Sequence, residues 1–126
     1  ADVALIRVSV HRGFPGAVTL ADSAPLPSMG APTATIGFPM GLDLQGGQDW
    51  KTVGVAATLS LGTVSRVLPD LLQLDSYGAQ GSSGSPIFDR QGRVIGVLYG
   101  GQPGTNGRII YAVPVRAVHQ LLAASP

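Results

Sequence analysis

Cysteine is absent from the 126 residues, which excludes a disulfide framework and any thiolate-bound metal. The fold must stand on its apolar core alone. Charge is scarce as well: charged residues make up 12% of the chain, about half the roughly 25% usual for soluble domains. With 8 Lys and Arg against 7 Asp and Glu, no basic field exists for nucleic acid or anionic lipid. A peptide or small-molecule partner is favoured, and the charge-poor surface leaves room for an interface. The two histidines, His11 and His119, share no ligand spacing with any carboxylate, so neither a metal nor a cofactor is expected. Apolar runs are short and broken by Gly and Pro, too short to span a bilayer as helices. No signal peptide is visible, and the first residue is Ala1 rather than Met, which points to a processed or excised piece. The length suits one compact domain and is too small for two of ordinary size.

What is present is the punctuation of an all-β protein. Gly (18) and Pro (10) separate short runs rich in Val, Ile, Leu and Thr. Residues 2–10 read as a strand, with Ala4, Ile6, Val8 and Val10 on one face. Residues 21–32 hold Pro25, Pro27 and Pro32 and read as an extended connector. Further strands are expected over 33–38, 52–59, 62–68, 71–75, 86–88, 94–99 and 109–113. The segment Asp89-Arg90-Gln91-Gly92 has the composition of a hairpin turn, and 100–107 reads as a loop. From Pro114 the pattern changes to Val115, Val118, His119, Leu121 and Leu122, the period of a short terminal helix.

One loop carries chemistry. In Gly81-Ser82-Ser83-Gly84-Ser85-Pro86, two glycines let the backbone turn so that neighbouring N–H groups, those of Gly81 and Ser83, can converge as an oxyanion hole. Taken alone, the same residues also fit a flexible turn. The elbow of an α/β-hydrolase fits worse, because Ser85 stands where its last Gly belongs and a strand follows. A phosphate loop needs a nearby lysine, which this segment lacks.

The flanks make the loop specific. Asp2-Val3-Ala4-Leu5-Ile6-Arg7-Val8, Ile36-Gly37-Phe38-Pro39-Met40-Gly41, Gly62-Thr63-Val64-Ser65, Gln73-Leu74-Asp75, Val94-Ile95-Gly96-Val97 and Tyr111-Ala112-Val113-Pro114 occur in the order seen in trypsin-like serine proteases. They resemble the HtrA (DegP-like) branch of that family. The resemblance implies an all-β fold: a six-stranded antiparallel Greek-key barrel, one half of the double barrel, with a short C-terminal helix. It implies a division into 1–32, the triad-aspartate strand and interdomain connector, and 33–126, the C-terminal barrel with its helix. It makes Ser83 the nucleophile, Asp2 the carboxylate that orients a histidine, and Gly81 with Ser83 the oxyanion donors. Two positions depart from the family's usual pattern: Ser82 replaces Asp or Asn, and Ser85 replaces Gly.

In that family the catalytic histidine lies on a first barrel upstream of the aspartate, a region this sequence does not span. His11 is nine residues past Asp2, about 30 Å away along an extended chain, and His119 belongs to the terminal helix. The resemblance also puts Tyr77 at the floor of the primary specificity pocket and Tyr99-Gly100-Gly101 along one wall, where an extended substrate pairs. With no carboxylate at the floor, small or medium apolar side chains are the expected preference. The expected function is the C-terminal half of a serine endopeptidase acting on a peptide or ester substrate. A stand-alone oligomeric serine hydrolase of esterase type and a non-catalytic oligomerising barrel are the alternatives. Expected partners are the missing N-terminal barrel or another copy of the chain, since an unpaired apolar strand at 2–10 invites pairing. Family resemblance suggests a periplasmic or extracellular setting.

Overall fold

A computed structural model describes residues 1–41, 49, 51, 54 and 56–125. Among the described residues the chain forms seven strands and a C-terminal helix: β1 (Thr19–Leu20), β2 (Pro32–Gly37), β3 (Thr58–Leu68), β4 (Leu71–Asp75), β5 (Pro86–Phe88), β6 (Arg93–Gly101), β7 (Ile109–Pro114) and α1 (Val115–Ala124). Six of the strands close on themselves in the order β2-β3-β4-β7-β6-β5, with every neighbouring pair antiparallel and β5 returning to β2. Closure removes the open edges through which a sheet would pair with other chains. Outside the ring, β1 adds to β6 in parallel.

Alternation along the strands builds the core. In β4, Leu72 and Leu74 are fully buried while Leu71 and Gln73 are only partly so, and in β7 Ile110 and Ala112 repeat the pattern around Tyr111. These residues meet Val64, Ile87, Ile95 and Leu98 in one cluster that Val115, the first residue of α1, also joins. Pro114 precedes the helix in an extended conformation (φ −61°, ψ 149°), suited to a ring that fixes φ and has no N–H to donate. Inside the ring β2 presents Thr33 and Thr35, both buried, with no hydrogen-bond partner for either hydroxyl among the described residues.

The closed barrel and terminal helix agree with the expected fold class, and 71–75 and 86–88 coincide with β4 and β5. Two expectations are corrected. Residues 2–10 form no strand: none of the described strands pairs with them. The expected separate strands at 52–59 and 62–68 are replaced by a single β3 of 11 residues; Thr52, Val53 and Val55 lie outside the described residues. Residues 60 and 61, expected as a gap, continue the strand because Ser60 pairs with Thr35 and Leu61 with Ala34 on β2. Gly62 next to them faces Ser76 so closely that a Cβ there would collide with the main chain of Asp75 and Ser76. It marks a close approach, the second common meaning of a strand glycine.

Candidate active site

Residues 76–85 connect β4 to β5, which are not neighbours in the ring: β7 and β6 lie between them. The connection therefore crosses one end of the barrel and is pinned to what it crosses. Ser76 donates its N–H to Arg108 O at 3.1 Å and Gly78 to Gly107 O at 2.9 Å. Further on, Gly84 donates to Leu98 O at 2.8 Å, and Leu98 donates back to Ser85 O at 2.9 Å. Between these anchors the chain turns at Gly81 (φ +94°) and Gly84 (φ +90°), a region that glycine enters without steric cost.

Ser82 is buried and ties the turn internally. Its hydroxyl accepts the N–H of Ala79 at 3.0 Å, its own N–H donates to Ala79 O at 2.9 Å, and its carbonyl accepts the N–H of Ser85 at 3.1 Å. A short hydroxyl thus supplies an acceptor for the turn at the position where the resemblance leads one to expect Asp or Asn. Ser85 is also buried and faces Gly37: a Cβ at 37 would fall inside contact distance of Ser85 Oγ and 3.1 Å from Ser85 Cβ. The side chain gained at 85 occupies space left by the one absent at 37.

Ser83, by contrast, is exposed, and its Oγ donates to Tyr99 O at 3.3 Å. Among the described residues, the N–H groups of Gly81 and Ser83 donate to no acceptor. Two unpaired donors flanking an exposed hydroxyl are what stabilising a developing oxyanion requires. Gly81 itself is packed against the Phe38–Gly41 turn, where an added Cβ would lie 2.9 Å from Phe38 O.

A cavity of about 320 Å³ opens beside Ser83, lined by Gly78, Ala79, Gln80, Leu98, Gly100, Gly101, Gln102, Pro103, Gly107 and Ile110. Its lining carries no charged side chain. Of the residues expected at the specificity pocket, Gly100 and Gly101 line it, whereas Tyr99 contributes its carbonyl to Ser83 and points its ring at Tyr111. Tyr77 is not in the cavity lining. It lies in a separate depression with Leu61, Gly62, Thr63, Asp75, Ser76 and Arg108. The alternation of buried Ser76, exposed Tyr77 and half-buried Gly78 explains the reversal: once Gly78 is bonded to Gly107 O, Tyr77 faces away. Leu98 and Ile110 were missed as pocket residues because an inward strand position reads only as core.

Asp2 is exposed and makes no hydrogen bond to the Ser83 loop. It lies near enough to Tyr99 to act on the phenol, whose pKa is held above 10.0 first by burial and then by Tyr111, Asp70 and Asp2. His119 donates from Nε2 to Ala21 O at 2.7 Å, locking α1 to the chain leaving β1. His11 is exposed. Neither imidazole is hydrogen-bonded to Ser83.

Among solved structures, Rv3671c from M. tuberculosis superimposes with a TM-score of 0.68 at 19% identity over 89% of this chain. The serine endoprotease from Yersinia pestis gives 0.65 at 20% over 84%, and the HtrA-type protease AlgW, crystallised with a decapeptide, gives 0.66 at 23% over 86%. The chain spans 56% of the first of these and about a third, 34% and 32%, of the other two. At such identities the likeness is one of fold. Residues 1–97 match the family described as the trypsin-like peptidase domain, and to that family this chain belongs.

Proposed function

We propose that this chain is the C-terminal half of a serine endopeptidase, divided into a connector region (1–32) and a barrel (33–126), whose catalytic imidazole is contributed by an N-terminal barrel. Ser83 Oγ attacks the scissile carbonyl carbon and passes its proton to that imidazole. The N–H groups of Gly81 and Ser83 hold the resulting oxyanion, and the imidazole returns the proton to the leaving amine. Asp2 orients the imidazole. A serine without such a base is a poor nucleophile, so the chain by itself has at most slow turnover of activated esters. The observation that carries the reading is an exposed Ser83 hydroxyl flanked by two unpaired N–H donors and set beside an open, uncharged cavity.

Labelling with a fluorophosphonate tests it. Slow or no labelling of the chain alone, rapid labelling after a histidine-bearing first barrel is added, and none in Ser83→Ala are expected. Labelling that survives Ser83→Ala refutes the assignment. In the completed enzyme the uncharged lining favours small or medium apolar side chains before the cut, with Gly100 and Gly101 pairing with the substrate backbone. A peptide library yielding dominant cleavage after Lys or Arg refutes that preference.

One observation favours a second reading, in which copies of the chain associate and complete a site between them. Leu5, Ile6, Val8 and Val10 are all about half exposed or more, Ile6 to 78%, and Leu59 and Leu61 add exposed apolar surface on β3. Large apolar side chains exposed to this degree, where they share a patch, mark an interaction surface. Association should appear as a dimer or larger species in light scattering, together with labelling of Ser83 in the isolated chain. A dispersed monomer excludes this reading and leaves the first in place.

A further inference from the structure

The wall of the cavity is made of two consecutive glycines, and a wall without side chains must be held in shape by something else. A Cβ at Gly100 would meet nothing within 4 Å, and one at Gly101 would touch only Ile109 O, at 3.3 Å, and Ile110 Cγ2, at 3.9 Å. Glycine pairs are conformationally soft, and an undefined wall would define neither the pocket width nor the edge on which an extended chain pairs. The strand is further disturbed here. β6 and β7 pair Leu98 with Ala112 and then Gly100 with Tyr111, so Tyr99 is the extra residue of a bulge.

Tyr111 spans this weak point. On one side of the glycines its ring stacks on Tyr99, centroids 6.4 Å apart and planes 26° from parallel. On the other side its hydroxyl donates to Gln102 Oε1 at 2.8 Å. Gln102 is also tied at its backbone: its N–H donates to Ile109 O at 2.9 Å, and its carbonyl accepts Thr105 Oγ1 at 2.7 Å. Tyr99, the other end of the span, is the residue whose carbonyl accepts Ser83 Oγ. One side chain therefore grips the strand before and after the bare pair and connects the wall to the nucleophile loop.

We infer that Tyr111 is a positioning residue, a strap that fixes the Gly100–Gly101 wall through its stack on Tyr99 and its hydrogen bond to Gln102. The bond to Gln102 orders the wall before a substrate arrives. What the wall is for rests on the protease reading; that Tyr111 orders it does not.

Amide hydrogen exchange on the full chain separates the two. In Tyr111→Phe, which keeps the ring and removes only the hydroxyl, exchange at Gly100, Gly101 and Gln102 should quicken about fivefold, as expected for one lost hydrogen bond. Exchange at Leu72 and Leu74 should be unchanged. Gln102→Leu should produce the same pattern, and the double variant should add nothing, because both remove one interaction. In parallel, binding of an acetylated tetrapeptide ending in valine should weaken about threefold in Tyr111→Phe through lost preorganisation. Unchanged exchange at the wall overturns the inference. So does uniform acceleration across the barrel, which would make Tyr111 a general packing residue. If the wall responds but the unaltered chain, completed by a histidine-bearing first barrel, binds no peptide, the strap stands and the protease reading fails.

Discussion

Placing alanine at Gly37 tests the complementarity between β2 and the serine loop. The new Cβ would press on Ser85 Oγ and lie 3.1 Å from Ser85 Cβ. Neither side can retreat easily. Gly37 is paired with Thr58, and its strand is also bonded to β5. Ser85 is 7% exposed and held by Ser82 on one side and Leu98 on the other. Overpacking in a fixed environment costs about 1–3 kcal/mol, and two pinned partners place this case toward the top, at about 3 kcal/mol. Removing a strand glycine returns roughly 0.5–1 kcal/mol of backbone entropy, leaving a net loss of about 2 kcal/mol. For a domain of this size that corresponds to a Tm lower by roughly 6–10 °C. The decisive comparison is the same substitution in a Ser85→Gly background, where the clash is gone and Gly37→Ala should be neutral or stabilising. Thermal unfolding of the four variants gives the coupling, expected at about 3 kcal/mol because the glycine term is common to both backgrounds and only the clash differs. If Gly37→Ala lowers Tm equally in both backgrounds, the two positions are independent and the reasoning is wrong.

Three further predictions concern other parts of the molecule. Thr33→Val and Thr35→Val replace buried hydroxyls that have no partner among the described residues with groups of the same shape, so each should raise stability by about 1 kcal/mol in urea unfolding; a loss of stability would show that the hydroxyls are satisfied. Gly81→Ala forces a side chain into φ +94° and against Phe38 O, so fluorophosphonate labelling of the completed enzyme should fall at least about tenfold while circular dichroism still reports a folded barrel; undiminished labelling would remove Gly81 from the oxyanion site. The Tyr99 phenol holds its proton more tightly in the folded chain than its ordinary pKa of 10.0. The unfolded chain therefore releases that proton first, so stability is unaffected by this group below pH 10 and declines as pH rises beyond it. Tyr99→Phe should flatten that decline in urea titrations between pH 9 and 11, and an unchanged slope would assign it to other groups.

Most of the barrel was legible because burial imposes a period of two on its strands. Leu72 and Leu74, or Ile110 and Ala112, alternate with less buried neighbours, and turn residues bracket each run. The failures share one cause. Residues 2–10 have the alternation of a strand, but alternation states only that a segment could lie on a sheet, and no strand among the described residues pairs with it. The pattern also leaves residues 60 and 61 as a gap between separate strands at 52–59 and 62–68, whereas in the structure β3 runs unbroken through them, with Ser60 paired to Thr35 and Leu61 to Ala34 on β2. Both errors come from reading local pattern where a distant partner decides.

The site shows the same division between what a chain segment specifies and what its surroundings add. Ser83 and the glycines around it stood out because their spacing is local, whereas Tyr77 and Tyr99 could be located along the chain without revealing which way they face. Their orientation depends on the bond from Gly78 to Gly107 O and on the bulge opposite Tyr111, interactions made across the barrel end. That also explains how the loop tolerates Ser82 and Ser85 in place of the usual residues. Its path is set by main-chain bonds to Arg108, Gly107 and Leu98, which require no particular side chains. Position 82 needs only a short acceptor for the N–H of Ala79, and position 85 needs only a neighbour that leaves room, which Gly37 does. The departures lie where the fold already holds the backbone, so the Ser83 hydroxyl and its two flanking donors keep their places without the family's usual neighbours.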